Sequence, residues 1–480
     1  MNVLFICNSE FGQAQIVLAV AAKLLMEEKL RVHVASFPAL KSRISGINDD
    51  IGRLNSIRFH ALSGPSMTQG YFEDFEDVSD MCHPCGIQGA AYSYQLFPKI
   101  VSMYKDNQYR QVVESCRNSI LQVRPALIVV DAQFWAALDV CRNGSTPYFV
   151  ITPSGLSGVI ANIQPRGAVL WKYPVISSGF PYPLPFSLIP ANIYLTIRLL
   201  LVLYFSTILS TVLKTRQSLH LEGQFPMFET YRKEEHYILP AQPETDFHYE
   251  HIPKNLTCCG PLSIPYPPLR EQDPQLESWL LRRRTIFVNL GSQVRLKLQN
   301  TLNLAEALKM TLKRHLDAQV LWKLNSTAEV FAKAESTLHN ELDQDRVRIC
   351  TWLEVDPTAI MRSGRLCCVV HHAGANAFYE ALGCSGAPQI ALPVWLDTYN
   401  VAAQMEYLDV GIWANRDAAP NVNLDALSHA LLIVMGDSKR SLRLHSRARE
   451  LQRTCDAGGG SERAAGKILE FLRSAATTVS

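Results

Sequence analysis

Val3-Leu4-Phe5-Ile6-Cys7 is apolar at every position, so a strand built from it has both faces covered. It runs into a polar loop, Asn8-Ser9-Glu10-Phe11-Gly12-Gln13, and then into apolar residues at helical spacing, Val17, Ala21, Leu24 and Leu25. The unit recurs. Residues 32–37, 57–62, 126–131 and 148–151 read as further buried strands, with a helix over 98–122. Strands alternating with helices run parallel, because the crossover a parallel pair requires is supplied by the helix. The expected class is α/β with doubly wound parallel sheets, whose ligands sit at the carboxyl ends of the strands. Loop 8–13 and Asp131 both fall at such ends.

The alternation breaks over 172–222. A Pro-rich loop, Phe180-Pro181-Tyr182-Pro183-Leu184-Pro185, leads into a predicted apolar helix, 193–213, that carries one charge before Lys214 and Arg216. A bilayer span needs about 20 predominantly apolar residues. Three readings stay open: a span, a helix lying on a membrane or covering a greasy acceptor pocket, and a buried core helix. The two terminal cations suit anionic headgroups or a helix C-terminus equally. This run is a concentrated source of the mean hydropathy of +0.01. A formal charge of +2 over 480 residues, with no basic block, argues against nucleic-acid partners. The N-terminus reads as a strand and not a signal peptide. Together with scattered cysteines inside apolar runs, it gives an expected location in the cytoplasm, with possible membrane association.

Residues 263–274 are Pro-rich, and after Trp279-Leu280 the alternation restarts with strand 285–290 and the turn Gly291-Ser292, followed by helix 301–315 and strand 319–323. The expected organisation is an acceptor domain over 1–262 with the apolar helix inserted, a linker over 263–284, a donor domain over 285–438, and C-terminal helices over 439–480 that reach back across the cleft. Trp352 follows strand 347–351. Strand 367–370 runs into His371-His372-Ala373-Gly374-Ala375-Asn376-Ala377-Phe378-Tyr379-Glu380. A glycine turn from strand into helix N-terminus is where a pyrophosphate binds, on amide donors and the helix dipole. Glu380, further along that helix, is placed to accept from a ribose diol.

The stretch 352–400 resembles the nucleotide-sugar signature of the family 1 UDP-glycosyltransferases, which have the GT-B fold; loop 8–13 reads most like fungal members. The resemblance implies that Trp352 stacks on uracil and that His372, Gly374, Asn376 and the amide of Ala377 serve the pyrophosphate. It further implies that Glu380 binds ribose, that Asp397 and Thr398 bind the sugar, and that Gly12, Gly291 and Ser292 line the phosphate side. Ala375, Ala377 and Thr398 depart from the family's Trp, Ser and Gln, which leaves the hexose open, glucose being the first expectation.

The catalytic departure is larger. The resemblance aligns Gln13 with the family's catalytic His, and an amide takes no proton. Asp131 matches the Asp that orients that His. Glu10 as the base, Asp131 reaching the acceptor directly, or an acceptor that needs little help are the available repairs, and Asp131 assisted by Glu10 is the favoured one. The expected reaction is inverting transfer of a sugar from a UDP-sugar to a hydrophobic acceptor such as a terpenoid, sterol, polyketide or lipid. A non-catalytic GT-B protein, or a transferase using another nucleotide, is the alternative. No cofactor is expected beyond the UDP-sugar, which is a substrate. No metal is expected, because Asp343-Gln344-Asp345 precedes a strand and lies at the wrong sheet edge.

Overall fold

The computed structural model describes residues 1–51, 55–101 and 104–479. Its first sheet contains β1 (Asn2–Ile6), β2 (Arg31–Ser36), β3 (Arg58–Ala61), β4 (Leu127–Asp131), β5 (Tyr148–Ile151), β6 (His236–Leu239) and β7 (Leu256–Cys258). They are parallel in the order β3-β2-β1-β4-β5-β6-β7. Leu4 and Ile6 point into one apolar cluster and Val3, Phe5 and Cys7 into another, which is why β1 is apolar throughout. The second sheet contains β8 (Arg284–Asn289), β9 (Ala318–Lys323), β10 (Val347–Cys350), β11 (Leu366–His371), β12 (Gln389–Ala391) and β13 (Gly411–Trp413). It is also parallel, in the order β10-β9-β8-β11-β12-β13.

In each sheet the strand order reverses once, between β1 and β4 and between β8 and β11. At such a switch point the loops diverge and open a crevice. At the ends of these four strands stand Glu10 to Gln13, Asp131 as the last residue of β4, Gly291-Ser292 and His372 to Gly374. The topology brings the candidate residues of each domain to its own switch point, and the contacts of Asn376 with Gly12 and of Phe11 with Trp352 bring the two together.

Three expectations change. The helix over 98–122 is two helices, Gly86–Val101 and Asp106–Val123, with 102 and 103 outside the described residues. The short strands β6, β7 and β13 were not anticipated. The apolar helix 193–213 is likewise two helices, Ile189–Tyr204 and Thr207–Ser218. Ser206 separates them, its side chain accepting from Leu209 N at 3.1 Å as an N-cap.

The linker segment is not slack. Leu276, Trp279 and Leu280 of the short helix Pro274–Leu280 are buried with Phe287 and Leu321 of the second sheet. The last helix, Gly460–Val479, lies against Phe11–Leu24 and places Ala464, Ala465, Ile468 and Leu472 in the core of the first domain.

Candidate active site

The donor wall is built around one ring. His371 ends β11 fully buried, with Nε2 2.7 Å from Gln389 Oε1 and Nδ1 accepting from Ala373 N at 3.0 Å. Alternation then turns His372 toward the cleft, and Ala373 adopts a left-handed φ of 59°. A Cβ at Gly291 would stand 2.8 Å from His372 Cε1, and one at Gly374 2.5 Å from Nε2. Both glycines are needed because the imidazole fills the space between the two loops. Burial, with His371 and Lys323 nearby, pushes the His372 pKa down to about 3. The ring is neutral at pH 7 and can hydrogen-bond but carries no charge; its Nδ1 has no partner among the described residues.

Gly374 opens the helix Ala375–Glu380, which continues as a wider π turn, Ala381–Ser385. Asn376 Nδ2 donates across the cleft to Gly12 O, while its Oδ1 is buried without a partner among the described residues. Ala377 is half-buried in the first turn. The Glu380 carboxyl is pushed up to about 8 by burial and by Asp356, against the pull of Arg43 and Arg362. Asp397 is exposed. Thr398 needs correction as a sugar contact: it is buried, and its hydroxyl closes its own turn with the backbone of Trp395. It shapes the loop that carries Asp397.

Trp352 is half-exposed at the mouth of the cleft. Lys323 Nζ lies 4.2 Å from its ring centroid and 3.3 Å from Gly291 O, and Phe11 of the other domain meets it at 5.9 Å between ring centroids. Burial lowers the Lys323 pKa, as it does for an ammonium taken out of water. Ser292 is tied through its carbonyl to Asn325 Nδ2 at 2.9 Å. The Asp343-Gln344-Asp345 turn lies before β10, where Asp345 pairs with Arg282 at 2.6 Å and Arg348 at 3.3 Å, away from the cleft.

On the opposite wall, Gln13 does not contact Asp131. Its amide donates to Gln133 Oε1 at 2.7 Å and accepts from Asn8 Nδ2 at 2.9 Å. Asp131 is fully buried, and its Oδ1 accepts from Gln133 N at 2.9 Å. Burial, with Glu10 nearby, pushes its carboxyl up to about 7, although the Gln133 and Asn8 amides oppose this. Glu10, half-buried at the start of the first helix, accepts from Thr68 N at 2.7 Å through Oε1. Three buried polar atoms, Glu10 Oε2, Asp131 Oδ2 and the Tyr104 hydroxyl, have no partner among the described residues. Burial and the two acids hold the Tyr104 phenol well above its ordinary range. Asp131 thus lies behind the surface, and Glu10 is the acid nearer the cleft.

Sequence reasoning missed Lys323, Gln133 and Tyr104. Lys323 ends β9, the same position in its unit that drew attention to Asp131. The other two have no such signal.

Phe186–Tyr204 is long and apolar enough to cross a membrane, yet only 17% of its most apolar window is buried. Asn192 is fully buried, accepting from Val175 N at 2.8 Å and donating to Leu170 O at 3.0 Å and Tyr173 O at 3.1 Å. Leu195 packs with Tyr94 and Phe180. One face is therefore held by the domain, and the helix is not wholly buried in the core. The other face exposes Phe186, Ile197, Leu200, Leu201, Tyr204 and Phe205. Arg216 is not available to headgroups, because it is buried in a bidentate pair with Asp139 at 2.7 and 2.8 Å.

Residues 192–446 match the family model for UDP-glucoronosyl and UDP-glucosyl transferase. The chain is also 31% identical to the glycosyltransferase sdnJ of Sordaria araneosa, over 97% of this chain and 96% of that one. It belongs to the UDP-glycosyltransferases. The NDP-glycosyltransferase YjiC of Bacillus subtilis (strain 168) is 27% identical over 22% of this chain and 25% of its own. Two solved structures share the fold at a TM-score of 0.64: the glycotransferase of kitacinnamycin and UDP-glucose:anthocyanidin 3-O-glucosyltransferase in complex with UDP. They are 14% and 15% identical to this chain, and each alignment covers 98% of this chain and 99% of the other. This UDP-glycosyltransferase accordingly has the GT-B fold and takes a UDP-sugar as donor.

Proposed function

We propose that the enzyme transfers a hexose, with glucose first among the candidates, from its UDP-sugar to a hydrophobic acceptor with inversion at the anomeric carbon. The observation that carries this reading is the facing of two walls. Neutral His372, Asn376 and the first-turn amides stand on one side, and the unpartnered Glu10 carboxylate oxygen stands on the other. The acceptor oxygen attacks C1 from the Glu10 side, its proton passes to Glu10, and the leaving diphosphate gathers charge against the helix start at Gly374. Asp131, with a pKa near neutrality and an unpartnered oxygen behind, is the second member of the acid pair. The two acids act on a proton and not on C1, so the product anomer is inverted. No cofactor beyond the donor enters the scheme.

We assign the exposed face of Phe186–Phe205 to a bilayer surface and the location to the cytoplasmic side. No acid occurs between Asp139 and Glu222, and Arg198 and Lys214 lie on the two apolar helices. A helix with one face seated on protein and the other rich in Leu, Tyr and Phe fits the headgroup boundary. A hydrophobic acceptor partitions into the same layer.

The test is incubation of the purified enzyme with UDP-glucose, other nucleotide sugars and a panel of apolar alcohols, phenols and acids, followed by mass spectrometry. A gain of one hexosyl group from UDP-sugars supports the reading. Nucleotide binding without product across the panel would support a non-catalytic GT-B protein instead.

A further inference from the structure

The Cys82-His83-Pro84-Cys85 segment has the spacing of a redox or metal pair but does neither job's geometry. Cys85 Sγ lies 3.3 Å from Arg416 O, and Cys82 packs against the core of the second domain. The residue between them is the notable one. His83 belongs to the first domain, is 1% exposed, and meets the second at Val394, Leu396 and Tyr399. Its Nδ1 is 2.7 Å from Pro84 O, so that nitrogen carries the proton and Nε2 is left as an acceptor. Nε2 accepts from Leu396 N at 2.9 Å, across the domain boundary. His83 N donates to Val394 O at 3.3 Å, and the Tyr399 hydroxyl donates to His83 O. One first-domain residue thus holds the backbone at Val394 and Leu396 and the side chain of Tyr399, bracketing Asp397. Leu396 has a left-handed φ of 40°, a conformation that costs a non-glycine residue about 1 kcal/mol and persists only when its surroundings enforce it. The next residue is Asp397, an exposed position.

We propose that His83 is a positioning residue for the donor sugar: its Nε2 fixes the Leu396 amide, and so holds the Asp397 carboxylate where it meets the sugar hydroxyls. The sugar subsite is then complete only while the two domains are engaged, although every group that touches the sugar in it is carried by the second. This rests on the reading of Asp397 as a sugar ligand, and the test separates the two.

Affinities for UDP and for UDP-glucose are measured by calorimetry on the wild type, His83→Ala, His83→Gln and Asp397→Asn. Leaving the half-buried Leu396 amide unpaired lowers UDP-glucose affinity about tenfold in His83→Ala, while UDP, which has no sugar to meet Asp397, binds as before. In turnover the same variant raises KM for the donor more than it lowers kcat. His83→Gln, whose Oε1 can accept from Leu396 N, regains most of the loss. Should His83→Ala not fold, His83→Asn replaces it, being polar but too short to reach that amide. Equal weakening of both nucleotides in the His83 variants, or no weakening, overturns the inference. If Asp397→Asn lowers UDP-glucose affinity and the His83 variants do not, His83 alone loses its role. If Asp397→Asn binds UDP-glucose as the wild type does, the reading of Asp397 falls and the inference falls with it.

Discussion

At the scale of single residues, the structure moves weight from Asp131 to Glu10. Both were legible in the sequence as acids at strand ends, but which one faces the cleft was not, because it depends in part on Thr68, which holds Glu10 from far along the chain. Glu10→Gln keeps the shape and the bond from Thr68 N and removes the base. Turnover of an alcohol acceptor should fall by about 10²–10⁴-fold, with UDP affinity unchanged. A carboxylic acid acceptor of the same skeleton, already ionised, should lose far less; equal losses for both acceptors would remove Glu10 from proton transfer. Asp131 makes a separate prediction about stability. Its folded pKa of about 7 lies above the ordinary aspartate value of 3.8, so the folded state holds a proton that the unfolded chain releases between those values. Ionising it inside the protein therefore costs stability as pH rises from about 4 to 7. Asp131→Asn keeps the bond from Gln133 N and carries no charge. Its melting temperature relative to wild type should climb across that window and level off above pH 7. A difference that does not change with pH would mean that Asp131 ionises in the fold as it does in water.

At the scale of elements, the strands most legible in the sequence were those buried on both faces, since a run such as 3–7 has no polar position to obscure it. β6, β7 and β13, four, three and three residues long, have no such extended apolar run. The apolar helix was misread as one element for a related reason: Ser206 looks like dilution within an apolar run, and only in three dimensions does its hydroxyl prove to cap a second helix. The exposed side of the first helix was equally invisible, since composition does not say which face the domain covers. Its role is open to measurement by co-sedimentation with phosphatidylcholine vesicles, with and without phosphatidylserine. The wild type should sediment with both, more with the anionic mixture. The Leu200→Glu/Tyr204→Glu double variant should stay in the supernatant while still glycosylating a water-soluble acceptor. Wild-type protein that stays in the supernatant with either vesicle would remove the bilayer assignment.

At the scale of the molecule, two switch points face each other and the chain crosses between domains more often than one linker requires. Arg43 meets Asp356 at 3.5 Å, Phe11 meets Trp352, and Asn376 reaches Gly12. The last helix completes the core of the first domain, with Phe471 5.3 Å from Phe149 between ring centroids. Ile468→Ala should therefore destabilise by about 2–5 kcal/mol, as removal of a fully buried aliphatic does, although residue 468 lies at the far end of the sequence from that core. Chemical denaturation would show it, and a change below 0.5 kcal/mol would mean that the helix is only loosely docked. The two-sheet plan could be read from strand–helix alternation; these crossings could not, because nothing local in the sequence marks them. On the proposed reading they enclose a cleft whose acids take a proton, and the anomer formed tests that reading most directly. With UDP-α-glucose as donor and an accepted alcohol, nuclear magnetic resonance of the product should show the β-glucoside alone. An α-glucoside would mean that a side chain attacks C1 or that the two walls do not oppose each other, and it would contradict the account.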